Sequence, residues 1–147
     1  MTEQKEHKTI TIYLESGVIP FRKNGDTLEI LLITNKKKSK WGIPKGMIER
    51  ECTASDSAQI EAYEEAGIKG RIFKPAVGRY IKKKWDGQCN VKVYPLEVTE
   101  VMDKYPEDML RKRAWFSVSD AAAQIKNKKL RDLILRFPDM LVKKYGF

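Results

Sequence analysis

Between Trp41 and Ile68 the chain reads WGIPKGMIERECTASDSAQIEAYEEAGI, and inside this stretch Glu61, Glu64 and Glu65 stand three and four residues apart. On a helix such positions are neighbours, and like charges there are destabilising unless something compensates. At about 100° per residue, Glu61 and Glu65 differ by about 40° and Glu64 lies about 60° beyond Glu61, so one ion is within reach of all three. The first expectation is a divalent metal. A solvated acidic helix is the alternative, but such a helix more naturally mixes Lys with Glu at these spacings, and this chain has lysine to spare.

The local sequence bounds that helix. Thr53-Ala-Ser-Asp56 has capping-box form, in which a hydroxyl and an acidic side chain satisfy the exposed amides of a first turn. Gly67 suits the left-handed residue after the last turn, which sets the helix at about 54–66. Ala54, Ala58, Ala62 and Ala66 make a stripe of small residues that lets it lie close on a sheet, with the glutamates along its border.

Around it the pattern is mostly strand. Ile10, Ile12 and Leu14 alternate, Gly17 bends the chain, and Val18, Ile19 and Phe21 continue. Asn24-Gly25-Asp26 marks a tight turn into the apolar run Leu28 to Ile33. A lysine-rich loop, 34–40, leads through Trp41 to Gly46, where Pro44 limits regular structure. Residues 71–80 read as one strand, Asp86-Gly87 as a hairpin turn, and 91–98 as the return strand, with Pro95 implying an edge or a bulge. Glu97 shares a face with Val91 and Val93, so it is either a strand-end carboxylate in water or one near a cation. Residues 100–108 read as a loop, 113–116 as a short strand, and 121–125 as a serine-capped helix. Leu130, Leu133, Ile134 and Phe137 are helically spaced within a C-terminal helical segment, 126–147, that Pro138 is expected to stop or kink.

The composition fits one folded domain across residues 1–147, with 1–8 a flexible tail: 41% hydrophobic and 33% charged residues exclude a disordered chain. The formal charge of +9 gathers in short basic runs (Lys36 to Lys38, Lys82 to Lys84, Arg111 to Arg113, and Lys126, Lys128 and Lys129), either solvated or facing an anionic partner. Cys52 and Cys89 match no metal-ligand or CxxC spacing and read as free thiols. The start MTEQKEHKT lacks an apolar segment of signal-peptide type, and no run approaches the roughly 18 to 20 apolar residues of a membrane span, so the expectation is a cytoplasmic protein without membrane partners. His7, the one histidine, falls in the polar tail and is not expected to be catalytic.

These residues resemble the Nudix hydrolases, whose signature runs Gly-x5-Glu-x7-Arg-Glu-apolar-x-Glu-Glu-x-Gly-apolar. Gly46, Glu61, Ala62, Glu64, Glu65, Gly67 and Ile68 fall in register. Cys52 stands at the first glutamate and Ile60 at the arginine. Eight residues apart, a Glu and an Arg would serve each other as an ion pair, and losing both leaves no orphan charge. Residues 91–125, through Val98-Thr-Glu100 and Arg111-Lys-Arg-Ala-Trp-Phe116, are similar to the branch acting on diphosphoinositol and diadenosine polyphosphates.

The resemblance implies an α/β (α+β) fold, an α/β/α sandwich with a mixed central sheet in a single domain. It also implies attack of water on phosphorus in a nucleoside diphosphate-X type substrate, with Mg²⁺ or Mn²⁺ as cofactor and a small phosphorylated substrate as partner. Glu61 and Glu65 are the principal metal ligands on this view, and Glu64 is a third ligand or the base; Glu97 is an outlying candidate base. Lys45 and Gly46, with Arg22 and Lys40, are the substrate-binding candidates, Gly46 by letting the chain turn close to the metal. Trp41 either fills the core or stacks on a base. The rival readings are a pyrophosphohydrolase of RNA 5′ ends, favoured by the positive charge, and a non-catalytic nucleotide or RNA binder. The aromatics among lysines from Tyr80 to Trp85 bear on the RNA readings.

Overall fold

The computed structural model describes residues 9–147; the expected tail, 1–8, with His7, lies outside the described residues. The elements are β1 (Thr11–Asn24), β2 (Thr27–Thr34), β3 (Trp41–Gly42), β4 (Lys45–Met47), α1 (Ala54–Ala66), β5 (Ile68–Ile72), β6 (Gly78–Lys84), β7 (Gly87–Val101), β8 (Arg113–Ser117), α2 (Val118–Gln124) and α3 (Lys128–Tyr145). One sheet runs in the order β3-β2-β1-β7-β5, with β4 beside β1, β6 beside β7 and β8 beside β2. The β1·β7 pairing is parallel and the others antiparallel, so the sheet is mixed.

Period-two alternation divides the core into two layers. Val18, Leu31, Ile33, Tyr94 and Leu96 pack with Ala58, Ala62, Ala66 and Ile68 on the α1 side. Their sequence neighbours Ile19, Ile30, Leu32 and Val93 pack with Leu130, Leu133, Ile134 and Phe137 on the α2/α3 side. Burying both faces makes an α/β/α sandwich, and the alanine stripe seats α1 closely. No described helix is long and apolar enough to cross a membrane.

Helix α1 has the bounds its sequence predicts. The Thr53 hydroxyl accepts from the Asp56 amide at 3.1 Å, and Gly67, at φ 66°, closes the other end by donating to Tyr63.

Four local expectations are corrected. Residues 71–80 are not one strand: β5 ends at Ile72, and β6 starts at Gly78 on the same partner, β7. Pro75 has no amide to donate, and the connection keeps only isolated bonds, Phe73 to the Pro95 carbonyl and Val77 to the Val93 carbonyl. Pro95 is neither at an edge nor in a bulge; it pairs with Ile19 of β1 and faces this gap, so its missing N–H breaks no ladder, and the irregularity lies instead at Lys69/Gly70 of β5. Gly17 does not divide β1, which stays in parallel register with β7 from Thr11 to Phe21; the glycine lets the Pro44 carbonyl approach. Pro138 does not stop α3, because Phe137 and Leu141 on either side of it are buried in the same core and hold the helix through to Tyr145.

Candidate active site

Strand β4 is the hinge of the site, lying on β1 along one edge and against α1 along the other. Its Lys45 amide donates to Glu65 Oε1 at 3.1 Å. One residue on, Gly46 faces Glu61 so closely that a Cβ there would overlap the carboxyl group. The signature glycine thus leaves room for the carboxyl of the signature helix.

Glu65 is 7% exposed, the most deeply placed of the three glutamates. Burial pushes its carboxyl up to about 8, against the opposing pull of Arg111 and the Lys45 amide. Glu61 is also raised, first by burial and then by the Glu64 charge, while a hydrogen bond from Glu65 works the other way. Both carboxyls are thus held toward their protonated forms, by burial first. Glu64 is half-buried, and its carbonyl accepts from the Glu107 amide at 3.0 Å.

Among the described residues, no three His, Cys, Asp or Glu side chains close into a finished ligand set. The sequence places three glutamates within reach of one ion; the structure brings Glu61 and Glu65 together with Glu64 beside them. Two oxygen-bearing side chains under a glycine ceiling still fit Mg²⁺, which keeps several waters and takes only one or two carboxylates beside substrate phosphates.

Glu65 opens onto a cavity of about 920 Å³ lined in part by Lys40, Trp41, Lys45, Lys82, Lys83, Arg111, Lys126 and Arg131. Lys82 is lowered from the usual lysine range, first by burial and then by the nearby charges of Lys45 and Lys40. Cations that face one another in this way favour an anion between them. Trp41 packs edge-on to Phe116 at 5.1 Å between ring centres, so it fills the cavity wall.

Two predicted residues are elsewhere. Arg22 is bonded to Glu29 at 3.0 Å and lies over the Trp115 ring, away from the glutamates. Glu97 sits opposite Phe21 in the parallel register, on the α2/α3 face of the sheet, and its ion partner is Arg71 at 3.8 Å. Its shared parity with Val91 and Val93 puts it on the face away from α1.

Three residues escaped the sequence reading. Glu15, 6% exposed, holds the Lys45 ammonium at 2.6 Å. Arg111 and Glu107 pair at 3.0 Å beside Glu65. The only signal was the basic run 111–113, where Arg111 and Arg113 prove half-buried and internally bonded rather than solvated.

Residues 14–137 match the family model described as NUDIX domain. The chain is 29% identical over 140 residues to Nudix hydrolase 16, mitochondrial, of Arabidopsis thaliana, covering 83% of this chain and 77% of that one. It is 35% identical over 96 residues to diphosphoinositol polyphosphate phosphohydrolase 2 of Rattus norvegicus, covering 63% of this chain and about half, 52%, of the rat protein. In fold it is similar to the crystal structure of a C. elegans Ap4A hydrolase, with a TM-score of 0.74, 20% identity and coverage of 89% and 99%. With the signature helix, its glycine and the sandwich fold in place, the chain belongs to the NUDIX domain family and is a Nudix pyrophosphohydrolase.

Proposed function

We propose that the chain cleaves a phosphoanhydride bond in a small substrate carrying a di- or polyphosphate, with Mg²⁺ or Mn²⁺, and that diphosphoinositol or diadenosine polyphosphates are its substrates. The observation that carries this is the Glu61–Glu65 pair under Gly46, opening through Glu65 onto a cavity walled by lysine and arginine. Glu61 and Glu65 would hold the cation. When bound, it would acidify a water and offset charge on the phosphate oxygens.

The chain's own groups do the rest. Glu64, half-buried beside the pair, would take the proton of the attacking water. Lys40 and Lys82 bind substrate phosphates, and Lys45 presents its charge from a position fixed by Glu15. Between the two substrate classes, the lining favours the more densely phosphorylated one, because seven lysine and arginine side chains face the cavity against two aromatic ones, Trp41 and Tyr80. Free Cys52 and Cys89 fit a reducing compartment, and a cytoplasmic location is part of the proposal.

The test is a hydrolysis screen with Mg²⁺ or Mn²⁺ over diphosphoinositol polyphosphates, diadenosine polyphosphates, nucleotide sugars and 5′-triphosphate RNA. Turnover of one of the first two classes, abolished by EDTA, is expected. Preference for the RNA would move the substrate to RNA 5′ ends; no turnover with tight, salt-sensitive RNA binding would make the chain a binder.

A further inference from the structure

The signature carries an arginine on its acidic helix that would pair with the glutamate eight residues before it, and here that position is Ile60, in an apolar groove with Tyr63, Ile68 and Leu96. Its expected partner is Cys52. The supporting ion pair is absent, yet Glu65 is firmly oriented. The cation that addresses it comes from forty-six positions along the chain.

We propose that Arg111 replaces the missing arginine as the positioning residue of the carboxylate pair; the proposal rests on the family reading above. Its guanidinium contacts three separate pieces of the fold: Glu65 Oε2 at 3.6 Å, Glu107 Oε1 at 3.0 Å and the Thr34 carbonyl at 3.1 Å. The Arg111 side chain is 16% exposed, so these contacts are poorly screened. A planar fork with five donors suits three acceptors in different directions; a lysine ammonium on a flexible stem does not.

The effect on Glu65 follows from which oxygen each donor takes. The Lys45 amide holds Oε1 and Arg111 approaches Oε2, so the plane of the carboxylate is set from two sides. Arg111 is itself fixed. Glu107 reaches it with the side chain and ties the same segment to α1 through its amide on the Glu64 carbonyl. Two residues on, Arg113 donates to the Ala66 and Met102 carbonyls, both at 2.7 Å, and clamps the C-terminus of α1 to that segment. Support lost within the helix is thus supplied from the connection between β7 and β8.

The test measures Mn²⁺ affinity by calorimetry, together with kcat and KM, in Arg111→Met, Arg111→Lys and a triple variant that adds Cys52→Glu and Ile60→Arg to Arg111→Met. Arg111→Met is expected to weaken Mn²⁺ binding and lower kcat, each about tenfold, with KM changed less than threefold. Arg111→Lys keeps the charge but not the fork and is expected to fall close to Arg111→Met. Restoring the helix pair is expected to recover at least half of the lost Mn²⁺ affinity. Unchanged Mn²⁺ affinity with raised KM would make Arg111 a substrate contact and overturn the proposal, as would wild-type behaviour of the lysine variant. Should Arg111→Met not fold, Glu107→Gln, which removes one anchor of the guanidinium, is expected to weaken Mn²⁺ binding in the same direction, and no change there overturns the proposal. Mn²⁺ affinity is read without turnover, so a wild-type protein inactive on every substrate would sink the hydrolase reading while leaving this one decided by the binding data.

Discussion

Gly46 and Glu61 occupy one another's space: the backbone of β4 passes so near the carboxyl group that only a residue without a Cβ fits. Gly46→Ala therefore has to displace Glu61. Because a misplacement of about 1 Å can cost on the order of a hundredfold in rate, turnover is expected to fall by about that factor. The Mn²⁺ dissociation constant should rise with it, and a variant with wild-type kcat would show that Glu61 need not sit where it does.

The raised carboxyl of Glu65 makes stability depend on pH. Its folded value of about 8 lies above the ordinary 4.5, so between the two the folded chain binds more protons than the unfolded one. This contribution is fully present below about pH 4.5 and is lost as pH climbs through about 8. In EDTA, the wild-type melting temperature is expected to drop further between pH 6 and 8.5 than that of Glu65→Gln. Added Mg²⁺, competing with the proton, should stabilise the wild type more at pH 8.5 than at pH 6. Parallel profiles for the two proteins would remove Glu65 from the account.

Strand parity separates the two candidate bases. Glu97 faces the α2/α3 layer and Arg71, whereas Glu64 borders the carboxyl pair. Glu97→Gln should leave kcat within about twofold of wild type, while Glu64→Gln should lower it by about a hundredfold or more, the usual scale for a lost general base. The opposite ranking, in initial-rate measurements at saturating substrate, would return the role to Glu97.

Two glycines in left-handed backbone offer a stability contrast. Gly25, at φ 67°, has open space where a side chain would stand, whereas at Gly67, φ 66°, a Cβ would overlap the Tyr105 ring. Alanine at residue 25 is expected to cost about 1 to 2 kcal/mol from backbone conformation alone. Alanine at residue 67 should cost about 1 to 3 kcal/mol more, from overpacking at the end of α1. Urea titration of both variants measures the difference, and equal losses would mean the ring moves freely.

Much of the site was legible because its determinants are local. The Thr53 cap, the Gly67 stop and the alanine stripe belong to one helix and behave as their chemistry dictates, while the glutamate spacing brings Glu61 and Glu65 together with Glu64 beside them. The parity of Glu97 was also readable; which sheet face α1 would cover was not, since that depends on the crossover from β4. Arg111, Glu107 and Glu15 were missed for a related reason. Each gains its role through a partner thirty or more positions away or through a loop with no period of its own, and nothing in a basic run tells a buried guanidinium from a solvated one. The break between β5 and β6 was hidden because Phe73 and Val77 keep a strand-like pattern across a connection that has lost its ladder.

The parallel pairing of β1 with β7 also governs the order in which the molecule can assemble. Thr11 finds its partner at Gly87 and Phe21 at Glu97, so the central pair of the sheet joins segments separated by most of the hairpins and α1. Closing so long a loop costs chain entropy before any of the pairing is regained, which makes this step slow compared with forming β1·β2 or β6·β7. On a ribosome, the first strand would have to wait until about two thirds of the chain had been made, with Val18, Ile19 and Phe21, all destined for the core, lacking their β7 partners meanwhile.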